Sequence, residues 1–143
     1  MQQKAEDAPT PKGVAFLTEE VGSEEIKTPE KFTEEQQMFA ATVEDFMEKE
    51  VFPAIDELED KNFDKMLEIL GSAADLGLLR IGIPEEYGGL GVDKTTVMLV
   101  MEKVSQYAGF SATYGAQTGI GMEPLIYFGT EEQKQKWLPK LGS

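Results

Sequence analysis

Cysteine and histidine are both absent from this chain. Without a thiol there is no disulfide framework, thiolate metal site or cysteine nucleophile. Without an imidazole the commonest general base and the commonest metal ligand are missing, and a Ser-His-Asp triad cannot be assembled. Proton chemistry would fall to carboxylates, lysines or tyrosines. Basic side chains are scarce, 13 against 27 acidic ones, for a net charge of −14. Such a surface repels the phosphates of nucleic acid and of anionic membranes, so neither is an expected partner. No run approaches the roughly 20 apolar residues of a transmembrane segment. The first residues, MQQKAEDAPTPKG, lack both the apolar core of a signal peptide and the arginine-rich character of a mitochondrial presequence. A bacterial cytoplasm is the expected location. Alternating strand patterns are lacking too.

What is present reads as helix. The 143 residues suffice for one domain with a hydrophobic core. Residues 1–31 read as a loose polar tail followed by an irregular arm, GVAFLTEEVGSEEIKTPEKF. Val14, Phe16, Leu17, Val21 and Ile26 are the anchors this arm would lay on another surface. Residues 32–143 read as an all-α bundle of four to six helices. Thr33-Glu34-Glu35-Gln36 has the spacing of a capping box. Phe39, Val43, Phe46 and Met47 then share one helical face, which Pro53 should end or bend.

A second helix starts near Asp64, puts Leu67, Leu70 and Ala74 on one face, and stops at Gly77. Leu78, Leu79, Ile81 and Ile83 read as a buried extended segment. Asp93 is an N-cap for a helix whose stripe is Val97, Val100, Met101 and Val104. From about Ser111, SATYGAQTGIGMEPLIYF is apolar or small nearly all round, the pattern of a helix buried on every side, with a break at Pro124. Thr130-Glu131-Glu132-Gln133 is a second capping box, followed by lysines that complement the helix dipole. Trp137, Phe39, Phe46, Leu67 and Val100 are assigned to the core, and Met98 and Met101 to gap-filling.

The loop IPEEYGGLGVD, residues 83–93, invites a phosphate-binding reading. A dinucleotide fingerprint fails because Lys94 stands where its third glycine belongs, and no P-loop ending is present. The glycines are read as permitting close backbone passage between helices.

The longer strings LGLLRIGIPEEYGGLGVDKTTVMLVMEKVSQ and GTEEQKQKWLPKLGS resemble, in order and spacing, two hallmark segments of acyl-CoA dehydrogenase N-terminal helical domains. The resemblance runs from about Phe32 to Ser143. The arm and the small-residue helix resemble the long-chain or very-long-chain branch more closely. The resemblance implies an FAD enzyme of fatty-acid β-oxidation that removes two hydrogens from the α and β carbons of a fatty acyl-CoA, leaving a trans-2-enoyl-CoA. It also implies electron-transfer flavoprotein as partner and a homo-oligomeric assembly. The family's middle β-domain and C-terminal helical domain have no counterpart in these residues.

The family's catalytic glutamate belongs to that C-terminal domain, so no catalytic residue is assigned. Glu102 and Glu123 are read as solvated or capping carboxylates, and no flavin contact is assigned. In the family the small-residue helix lines the acyl cavity, which makes Ala116, Gly119 and Ile120 the candidate substrate-binding residues. The competing explanation for their size is close helix packing. The competing reading of the whole chain is a non-catalytic helical interaction module derived from the same fold.

Overall fold

The structure is a computed structural model that describes residues 28–143. The chain divides into two units, Met1–Phe32 and Thr33–Ser143. Of the first, a single 3-10 turn, Pro29–Lys31, is described. The expected tail and the arm anchors Val14 to Ile26 lie outside the described residues.

The second unit is helical, and no strand occurs among the described residues. Helix α1 spans Glu34–Phe46, α2 Ile55–Glu59, α3 Phe63–Asp75, α4 Lys94–Val104, α5 Ala108–Gly115, α6 Glu123–Phe128 and α7 Glu131–Leu141. Both expected capping boxes form. The Thr33 and Thr130 hydroxyls accept from the N–H groups of Gln36 and Gln133, whose side chains accept in return from the cap N–H groups. Gly77 ends α3 in the left-handed region, at φ +79°.

The two prolines act through the turn that precedes them. Pro53 and Pro124 have no N–H for the carbonyls of Lys49 and Ile120, and their rings crowd those oxygens. Ahead of each the backbone widens into a π turn, Met47–Val51 and Ala116–Gly121. Helix α6 then restarts with Pro124 in its first turn, where a missing N–H costs nothing.

Helices α1 and α4 lie side by side with their N-termini together. The buried amide of Gln36 donates to Asp93 (3.4 Å) and to the Thr96 hydroxyl (3.3 Å), and that hydroxyl donates to Asp93 at 2.7 Å. At the other end Lys103 of α4 pairs with Glu44 of α1 at 2.7 Å. The main core gathers Val43 and Phe46 of α1, Met47 of the π turn after it, Ile69 and Ala73 of α3, Val100 and Val104 of α4, and Phe110 and Tyr114 of α5. The Phe110 ring sits 5.7 Å from Phe46 and 6.1 Å from Tyr114, distances at which tilted aromatic pairs add to simple burial. The Tyr114 hydroxyl, wholly buried, donates to the Leu78 carbonyl at 2.7 Å. A smaller core of Ile83, Tyr87, Met122 and Leu138 joins the glycine loop to α6 and α7.

Several expectations need correcting. Leu67 is 65% exposed, because α3 buries Ile69 and Ala73 instead. Met98 is likewise exposed, while Met101 is partly buried against the main core. Trp137 is 45% exposed; Leu138, its neighbour, fills the core position. Leu78, Leu79, Ile81 and Ile83 are buried as expected, but the segment winds through a 3-10 turn, Leu78–Arg80, rather than running extended.

Candidate functional site

The glycine loop closes on itself. The N–H groups of Gly88, Gly89, Leu90, Gly91 and Val92 donate to the carbonyls of Glu85, Pro84, Arg80, Ile83 and Ile81, at 2.9 to 3.2 Å. No N–H in that run is left to face a phosphate, so the loop is not an anion cradle. Gly89 is there because a Cβ would stand 1.9 Å from the Ile83 oxygen. The Tyr87 hydroxyl fastens the loop to α7 by donating to Glu131 at 2.9 Å. That carboxylate raises the phenol's pKa above its ordinary value, with burial adding to the effect.

The segment expected to be buried all round is instead divided. Tyr114 and Met122 are buried, but Ile120 is 82% exposed and Phe128 88%. Its polar residues turn inward onto backbone: Gln117 donates to the Leu141 carbonyl at 2.9 Å, and Thr118 to the Tyr114 carbonyl at 2.9 Å. The apolar remainder faces outward. Two open grooves flank a ridge of Ile120, Pro124 and Phe128. One, of about 470 Å³, also takes in Gly115, Gly119, Glu123 and Tyr127. The other, of about 450 Å³, runs past Leu125 and Gln133 to Trp137.

Of the three candidate substrate-binding residues, Gly119 and Ile120 line the first groove, whereas Ala116 is exposed and is not part of its lining. A Cβ at Gly119 would meet nothing within 4 Å. Within this chain, glycine there leaves open space along the groove. Glu102 is exposed, 3.7 Å from Lys103, as a solvated carboxylate should be. Glu123 does more than expected, because it lines the groove and accepts from Lys94 of α4. That pairing raises the Lys94 pKa, with partial burial opposing it. The sequence did hold a signal for this wall, a four-residue step through Gly115, Gly119, Glu123 and Tyr127 that brings successive turns onto one face. No group of three or more acidic side chains is placed to hold a metal ion among the described residues. Nor is any helix among them long and apolar enough to cross a membrane.

Known proteins carry the same architecture. The family described as "Acyl-CoA dehydrogenase, N-terminal domain" matches residues 33–143. A probable acyl-CoA dehydrogenase of Bacillus subtilis (strain 168) is 48% identical over 143 residues, all of this chain and 24% of that protein. A mitochondrial isovaleryl-CoA dehydrogenase of Solanum tuberosum is 35% identical over 114 residues, 78% of this chain and 28% of that protein. The crystal structure of an acyl-CoA dehydrogenase complexed with FAD from Bacillus anthracis superposes with a TM-score of 0.86 at 46% identity, covering 92% of this chain and 23% of that one. The chain thus spans about a quarter of the length of these relatives. Because an isovaleryl enzyme stands among them, the similarity reaches the family and not its long-chain branch. With both hallmark segments in place and the family matched over residues 33–143, this chain belongs to the acyl-CoA dehydrogenase N-terminal domain family.

Proposed function

We propose that the chain is the N-terminal part of an FAD-dependent acyl-CoA dehydrogenase, and that its groove along Gly119 and Ile120 forms one wall of the site for the acyl tail. The observation carrying this reading is an open, largely apolar groove on the exposed face of a domain from that family. Apolar walls with few polar groups suit a hydrocarbon tail. In this reading the substrate is a fatty acyl-CoA, and the product is the trans-2-enoyl-CoA. Electron-transfer flavoprotein takes the electrons, and the assembled enzyme is a cytoplasmic homo-oligomer.

The glycine-rich loop does not fit a flavin's pyrophosphate, since it has spent its N–H groups internally. FAD therefore belongs to other parts of the enzyme, where it supplies the hydride acceptor. No catalytic residue is assigned in this chain. Its own contribution is to bind the tail, orient it and exclude water from it. A long-chain preference is favoured by the resemblance of the arm and the small-residue helix to the long-chain branch of the family.

The test is to purify the product of the whole reading frame and measure bound flavin and its bleaching by palmitoyl-CoA. A yellow protein bleached by the thioester is expected. A colourless protein that ignores acyl-CoA would overturn the reading in favour of a helical interaction module, for which the exposed Ile120, Phe128 and Trp137 provide an apolar face. In the active enzyme, Ala116→Phe, one turn before Ile120, should shift preference toward shorter tails. An unchanged preference would remove Ala116 from the site.

A further inference from the structure

The groove contains one charged side chain, and that charge is answered from outside it. Among the residues lining it, Glu123 alone carries a formal charge. Its carboxylate accepts from the Lys94 ammonium at 2.5 Å. The same ammonium stands 5.5 Å from the centre of the Tyr127 ring, within reach of a cation–π contact. Glu123 and Tyr127 are four residues apart on the groove wall, so one lysine holds two successive turns of it. Lys94 is itself well placed. It is the first residue of α4, and Asp93 fixes that helix start by accepting from the Thr96 N–H at 2.7 Å.

As a surface ion pair this contact would contribute little to stability, since both partners are about half exposed. Its weight lies in what a tail entering the groove would meet. An apolar chain laid against a bare carboxylate strips its water and returns nothing. A carboxylate already paired with an ammonium, on a wall pinned by the same group, has less to lose.

We propose that Lys94 is a positioning residue for the acyl tail: by neutralising Glu123 and holding Tyr127 it keeps this groove fit for the distal part of long tails. The inference rests on the acyl-CoA reading and deepens it by naming what sets chain-length preference. Short tails that stop before the groove do not depend on the clamp.

The experiment compares palmitoyl-CoA and butyryl-CoA binding to the flavoenzyme encoded by the whole reading frame, carrying Lys94→Met, Lys94→Arg, or Lys94→Met with Glu123→Gln. In Lys94→Met the ratio of palmitoyl to butyryl affinity should fall about tenfold, equivalent to about 1.4 kcal/mol. Lys94→Arg should keep most of the ratio, and the double variant should recover most of it, because the stranded charge is gone. A purely structural role gives a different pattern: both thioesters weaken together, and the double variant is no better than Lys94→Met. That pattern, or an unchanged ratio in Lys94→Met, overturns the inference while leaving the acyl-CoA reading intact. Unmodified enzyme that binds neither thioester overturns both.

Discussion

Replacing Gly89 by alanine tests the loop at its tightest point. The new Cβ would stand 1.9 Å from the Ile83 oxygen, where ordinary contact begins at 3.4 Å, so the strands of the loop must part by about 1.5 Å. That oxygen accepts the Gly91 N–H at 2.9 Å, and the Ile83 side chain anchors the smaller core. Losing the hydrogen bond costs about 1 kcal/mol, and forcing a packed segment apart costs a further 1–3 kcal/mol or so. The total is about 3 kcal/mol, which for a domain of this size lowers Tm by roughly 10 °C. Gly88→Ala is the control. Its φ of +82° is unfavourable for alanine, but nothing lies within 4 Å of the new methyl, so it should cost only about 1–2 kcal/mol. Thermal unfolding followed by far-ultraviolet circular dichroism reads both. Equal losses in the two variants, or a Gly89→Ala protein as stable as the parent, would refute the claim that backbone approach sets the glycine requirement.

Other perturbations follow from the same contacts. Tyr114→Phe strands the buried Leu78 carbonyl and should cost about 1–2 kcal/mol, measured by urea denaturation. Burial raises the Tyr114 phenol above its ordinary 10.0, so the folded state keeps a proton that the unfolded chain releases. Stability from this residue is therefore present below about pH 10 and lost as pH rises beyond it; Tyr114→Phe should flatten that part of a stability–pH curve. Gln36→Leu removes the bridge between the α1 and α4 caps and should cost about 2 kcal/mol, with loss of amide-exchange protection at both N-termini. Leu138→Ala, at a fully buried site, should cost about 2–5 kcal/mol. Trp137→Ala beside it should cost under about 1 kcal/mol, a difference that a denaturation midpoint resolves easily.

Much of the local structure was legible without coordinates. The caps at Thr33, Asp93 and Thr130 and the stop at Gly77 form where the residues indicate, because a cap is decided by atoms within three or four positions of itself. The all-helical class and the stripes of α1 and α4 followed from periodicity for the same reason. Even the refusal of a phosphate site at the glycine loop needed only the missing third glycine. The two π turns were half legible: each proline announced a break, but not that the preceding turn would widen to absorb it.

Tertiary structure decided which face of each helix is used. In α3 the apolar residues from Phe63 to Ala74 cover an arc of roughly 160° at 100° per residue, wider than one contact needs. The chain buries the edge holding Ile69 and Ala73 and leaves Leu67 out. Trp137 and Leu138 are adjacent and both apolar; only the position of Ile83 and Met122 selects Leu138 for burial. The stretch around Ile120 was apolar enough to be buried everywhere, yet one side packs inward while the other lines a groove. Pattern alone cannot separate a side chain buried against its own domain from one kept apolar for another surface, because both satisfy the same preference for leaving water. The Lys94–Glu123 contact, 29 residues apart in sequence, exists only because the fold brings the starts of α4 and α6 together.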